Sequence, residues 1–110
     1  MMRKFMLEAA LVQANTLFRL LEENRDPERA KQMSAYMRDQ FLFLGIGTPK
    51  RRELCKDFFK EARKTQQVDW DFVVQCWRKP EREYQYVALD YLKRMQALLT
   101  ATDVPKLKQL

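Results

Sequence analysis

The sequence has no histidine, two cysteines and two glycines among its 110 residues. Without histidine, a Ser-His-Asp triad, a Cys-His pair and any imidazole-ligated metal are excluded. Cys55 and Cys76 cannot build a structural zinc site by themselves. Each lies among apolar helical residues, the habit of a reduced core cysteine. No metal and no cofactor is expected. So few glycines leave little room for hairpins, and only the short FLFLGIG at 41–47 alternates at period two. No apolar run approaches the roughly 18 residues of a membrane span. The opening MMRKFMLEAALVQANTLF starts as a signal peptide does, with two bases before apolar residues. Glu8, Gln13 and Asn15 then interrupt the run and leave an amphipathic helix. A cytoplasmic protein with no membrane partner is expected.

What is present is mostly helix former and charge. Hydrophobic residues make up 46% and charged residues 33%, the balance of one globular domain, 1–110. Lys and Arg outnumber Asp and Glu by 21 to 15, giving a net charge of +6 and favouring a polyanionic partner. Residues 50–64 carry seven bases and three acids, so most of that excess is concentrated in one segment.

Leu7, Ala10, Leu11, Ala14, Leu17, Phe18 and Leu21 recur at three and four residues, one continuous helical stripe. Asp26-Pro27 reads as N-cap plus first-turn proline of a second helix, with Ala30, Met33 and Met37 on its face. Thr48-Pro49 opens a third, carrying Leu54, Cys55, Phe58, Phe59 and Ala62. Asp69 caps a fourth with Trp70, Val73, Val74 and Trp77 on one face, a core pattern. Pro80 starts a fifth, whose apolar face is broad from Tyr84 to Leu99 and implies a central helix. Asp103 and Pro105 open a sixth that reaches the last residue, Leu110, after about two turns. The fold class is all-α, about six helices, arranged as helix-pair repeats of the HEAT or armadillo kind or as a plain bundle.

The most informative segment is Phe41 to Arg52, FLFLGIGTPKRR. Thr48 is a good N-cap and Pro49 suits the first helical position. Lys50, Arg51 and Arg52 then sit at the positive end of a helix dipole, where acids belong by about 0.3–1 kcal/mol each. That placement is wrong for stability and right for an anion such as phosphate. Gly45 and Gly47 would let backbone approach a ligand closely. The spacing is not that of a Walker loop. Farther along, Glu53–Lys56, Asp57–Lys60 and Glu61–Lys64 make i,i+3 pairs, so the longer basic stripe reads as paired surface charge. From spacing alone Tyr36 is a half-buried residue at the edge of the second stripe. Glu81 and Glu83 are accounted for by the dipole of the fifth helix.

Two stretches, MSAYMRDQFLFLGIGTPKRREL and WRKPEREYQYVALDYL, resemble the DNA alkylation repair family of AlkD-like glycosylases. The shared elements are Tyr36-Met37, the segment Phe41 to Arg52, and Trp77 through Pro80-Glu81-Arg82-Glu83 to Ala88-Leu89-Asp90. The resemblance implies a short right-handed solenoid of HEAT-like helix pairs whose basic face holds the phosphate backbone of double-stranded DNA. It implies hydrolysis of the N-glycosidic bond of purines alkylated at N3 or N7. Their cationic base is a good leaving group, which makes general acid catalysis less necessary. Tyr36 corresponds to a tyrosine lining the family's cleft, and Gly47 stands where a polar residue is frequent. Gly45, Gly47, Thr48, Lys50, Arg51 and Arg52 are the expected DNA-binding residues. The tryptophan pair and aspartate that the family uses on the lesion would follow Leu110, so no catalytic residue is expected in this N-terminal half. A non-catalytic HEAT-like module binding protein is the alternative. Leu107, Leu110 and part of the fifth helix are expected to form an apolar end able to self-associate.

Overall fold

A computed structural model describes the backbone from Met2 to Leu110 and side chains from Gln13 onward. The stripe positions Leu7, Ala10 and Leu11 lie outside the described side chains. Six α-helices follow one another: α1 (Met2–Glu23), α2 (Pro27–Tyr36), α3 (Thr48–Lys64), α4 (Trp70–Arg78), α5 (Arg82–Arg94) and α6 (Val104–Lys108). Two 3₁₀ turns, Gln96–Leu98 and Ala101–Asp103, join α5 to α6. Among the described residues there is no strand, only an isolated bridge between Leu42 and Glu81. The chain is all-α, as its periodicity predicts, and the arrangement is consistent with an α-solenoid. No helix among the described residues is long and apolar enough to cross a membrane.

Local chemistry explains most boundaries. Asp26 accepts the Arg29 N–H at 3.1 Å and Asp69 accepts that of Phe72 at 3.1 Å, two side-chain caps read correctly from the sequence. Thr48, however, is not a cap. Gly47 takes that position, its extended backbone (φ −71°, ψ 162°) offering its carbonyl to the Arg51 N–H at 2.9 Å, with no side-chain cap bond. The fifth helix also begins two residues later than its proline suggests. The Arg82 N–H donates to the Leu42 carbonyl at 2.8 Å, which holds Glu81 extended against the 41–47 segment. After Arg94 the broad face breaks into a 3₁₀ turn, although Met95 stays buried and Leu98 and Leu99 pack on the core.

The helices α1, α3 and α5 pack in succession, and α4 lies against α5. Leu17, Phe18 and Leu21 of α1 meet Phe59 of α3, Phe72 and Cys76 of α4, and Tyr84, Val87 and Tyr91 of α5 in one core. The Phe72 ring stacks on Phe18 at 5.8 Å and meets the edge of Tyr91 at 5.1 Å. Trp70 and Trp77 pack against this core, and α5 packs between α3 and α4, as its broad apolar face requires. Helix α2 contributes no buried residue.

Candidate functional site

The backbone of the 41–47 segment does hold an anion, and the anion is the protein's own. Glu83, fully buried, accepts the Leu44 N–H at 2.8 Å with one carboxylate oxygen. Its other oxygen accepts those of Gly45 and Ile46 at 2.9 and 3.1 Å. The dipole of α5 is therefore not the main reason for this acid. Gly45 is likewise committed inward: its φ is +94°, and a Cβ there would lie 2.0 Å from the Asp26 carbonyl oxygen. Asp26 in turn donates its N–H to the Leu44 carbonyl at 2.9 Å. At Gly47 a Cβ would meet only the Arg29 guanidinium. Glycine at 45 is thus required by the packing of this segment on α2, whereas Gly47, at ordinary φ against the flexible end of Arg29, carries no such requirement.

The three bases after Pro49 divide. Lys50 and Arg52 are exposed, whereas Arg51 is only 5% exposed. Arg51 lies four residues before Cys55 on the inward stripe of α3, which turns it away from solvent. Its Nη2 reaches Asp90 Oδ2 at 3.1 Å, its guanidinium lies over the Tyr86 ring at 5.1 Å, and its Nε has no partner among the described residues. Arg52 Nε lies 3.6 Å from the same Asp90 oxygen. Tyr86 also lies near the guanidinium of Arg82, which covers the Phe41 ring at 4.2 Å. On the same stripe the Cys55 thiol is pushed up to about 12 by burial, only partly offset by the charge of Arg51, so it offers no nucleophile.

Three shallow hollows run together across this surface. Tyr36, 88% exposed and not half-buried, lines the first with Met33, Met37, Phe43 and Tyr86. Tyr86 also walls the second, which holds Thr48, Arg51, Arg52 and Asp90. Arg52 and Asp90 continue into a third, lined by Phe59, Arg63, Lys93 and Arg94. One end of the groove is thus aromatic and methionine-rich, the other cationic. Of the three pairs expected along α3, Glu61–Lys64 closes, at 3.1 Å. Among the described residues Glu53–Lys56 and Asp57–Lys60 make no ion pair, so most of the stripe read as paired is not, and Arg63, which belongs to none of these pairs, makes no ion pair either.

The groove can stack planar groups at one end and hold anions at the other. Asp90 is the single carboxylate among the described residues that line it, and two arginines engage it. Among the described residues no cluster of acids and cysteines could hold a metal ion. Sequence reasoning missed that Glu83 holds the 41–47 backbone and that Tyr86, Asp90, Arg63, Lys93 and Arg94 line one groove. Only Arg51 carried a usable signal, its place on the apolar stripe.

Comparison with known proteins follows the same lines. The family model for "DNA alkylation repair enzyme" matches residues 17–110. A solved structure titled as a predicted DNA alkylation repair enzyme from Enterococcus faecalis is 36% identical and superposes with a TM-score of 0.65. The match covers 77% of this chain and 40% of that one, so the matched part spans two fifths of that relative's length. No curated protein matches.

Proposed function

The chain belongs to the DNA alkylation repair enzyme family, and from that premise we propose that its groove grips the backbone of duplex DNA beside an alkylated purine. These 110 residues would form the N-terminal part of a longer glycosylase domain built of HEAT-like helix pairs. That whole domain would hydrolyse the N-glycosidic bond of purines made cationic by alkylation at N3 or N7. Lys50 and Arg52 would meet phosphates, with Thr48 beside them. Arg51 would act from beneath by holding Asp90 and Tyr86. Tyr36 would face the altered base, where an electron-rich ring favours a cation.

One observation carries this reading: Tyr86 is a wall shared by the hollow of the exposed Tyr36 and the hollow of Arg52. A protein-docking module would instead present an apolar groove, and the cationic lining favours a polyanion. Because Asp90 is already engaged by two guanidinium groups, this groove supplies grip and stacking, not acid or base catalysis. Release of 7-methylguanine by these residues alone is accordingly not expected. Self-association would use Leu107 together with Val104 on α6, whereas Leu110, expected at the same apolar end, is partly buried against the core.

The test is fluorescence anisotropy with duplexes that do or do not contain 7-methylguanine. Binding should weaken steeply as salt rises from about 50 to about 200 mM. The double variant K50A/R52A should weaken binding to both duplexes, and Y36A should erase any preference for the methylated one. Absence of salt-sensitive binding at the low-salt end, about 50 mM, would defeat the proposal.

A further inference from the structure

The cationic hollow between α3 and α5 gathers bases that belong to no sequence motif. Arg63 stands in the last turn of α3, and Lys93 and Arg94 stand in the last turn of α5. Helix dipoles favour bases at such ends, but they do not require bases from two helices to line one space. Here all three are exposed, and with Arg52 they surround a hollow of about 500 Å³. None of the three makes an ion pair among the described residues; the ion pairs of this region are those of Asp90 with Arg51 and Arg52. The one acid lining the hollow is thus engaged, and the positive charge of Arg63, Lys93 and Arg94 is uncompensated.

Geometry adds direction to the charge. Arg52 and Arg63 are separated by three turns of α3, about 16 Å along the axis, and return to nearly the same face. Phe59 lies between them with its ring largely buried, giving the hollow an apolar floor. A trough of that length spans roughly four to five base pairs of duplex at about 3.4 Å per step. Successive anionic groups along a strand match it, whereas a single small anion would fill one end.

We propose that this trough is a second backbone-binding stretch, in which Arg52, Arg63, Lys93 and Arg94 track consecutive phosphates of one nucleic-acid strand. The proposal rests on the DNA reading above and extends the binding surface from the start of α3 to its end. It assigns a function to three bases that helix-end electrostatics alone would leave unconnected.

Three variants of the full 110-residue chain test it by duplex anisotropy across a salt series, with circular dichroism to confirm folding. In R63Q/K93Q/R94Q, affinity should fall at least about tenfold, and the salt slope should shrink by about 0.9 for each phosphate no longer neutralised. R19Q/R78Q/K108Q removes the same net charge from exposed positions elsewhere and should keep the slope. R63K/R94K keeps the charge and should retain most of the affinity. Equal losses in the two triple variants would overturn the trough while leaving DNA binding intact, since net charge alone would then account for the effect. Equal binding of poly-glutamate and duplex would overturn the choice of partner. If the unmodified chain binds no DNA at all, the underlying reading falls, and this inference falls with it.

Discussion

The carboxylate of Asp90 joins the buried guanidinium of Arg51 at 3.1 Å and, through the same oxygen, lies 3.6 Å from Nε of Arg52. One acid on α5 therefore fixes two successive arginines of α3 that point in different directions. The substitution D90N should leave the Arg51 charge buried without a counter-ion and cost roughly 1–3 kcal/mol, less than a fully buried pair because Asp90 retains some exposure. Chemical denaturation would measure the loss. Removing a negative charge should tighten DNA binding on Coulomb grounds alone; weaker binding is expected here, because Arg52 loses its orientation.

Glu83 offers a sharper test of what holds the 41–47 segment. In E83Q the amide nitrogen would face N–H donors that the carboxylate now satisfies, at a cost of roughly 2–4 kcal/mol. At about 4–8 °C per kcal/mol for a domain of this size, the thermal midpoint should fall by around 10 °C or more. An unchanged melting curve would mean that water replaces the carboxylate, contrary to its full burial.

The two glycines should respond unequally. G45A combines positive φ with a 2.0 Å clash against rigid backbone and should cost more than about 2 kcal/mol. G47A meets only the far end of the Arg29 side chain at ordinary φ, and its change should stay within about 1 kcal/mol. Equal effects would refute the different roles given to them.

The acid limb of stability should report Asp103. Its carboxylate accepts the Thr100 N–H at 2.9 Å and Trp70 Nε1–H at 3.1 Å, with Lys106 nearby at 3.5 Å. Led by the Thr100 bond, these hold its pKa below the ordinary 3.8. A depressed folded value adds stability above the ordinary value of 3.8 and loses it as pH falls through the folded value. Tryptophan fluorescence should show the C-terminal turns loosening in that acid window, and D103N should abolish the dependence.

Cysteine chemistry should be silent in the native state. Burial pushes the Cys55 thiol up to about 12 and raises Cys76 as well. A thiol-reactive dye is expected to label neither residue until denaturant unfolds the chain. Stoichiometric labelling under native conditions would contradict their burial.

The parts legible in the sequence are those governed by near neighbours. Asp26 and Asp69 announce helix starts because their targets are three residues ahead, and the apolar stripes of α1, α3 and α5 are themselves repeats of local spacing. Thr48 misleads because a neighbouring glycine supplies the cap through its carbonyl. Tyr36 stands free of the core because α2 buries no residue at all. Glu83 and Asp90 act on groups 37–39 residues away, a separation at which spacing carries no information. The groove is hidden for the same reason, since α2, α3 and α5 each supply only part of its lining.

The long reach of Glu83 also bears on synthesis. A chain emerging from the ribosome presents Phe43, Leu44 and Ile46 well before the acid that organises their backbone, which follows Leu44 by 39 residues. Closing that loop costs entropy that only the later contacts repay. Until the start of α5 emerges, the segment is an apolar ribbon with unpaired N–H groups, suited to a chaperone or to misassociation. The window closes only when residue 83 arrives, so slow translation between residues 46 and 83 would lower the yield of folded protein more than an equal delay after α5.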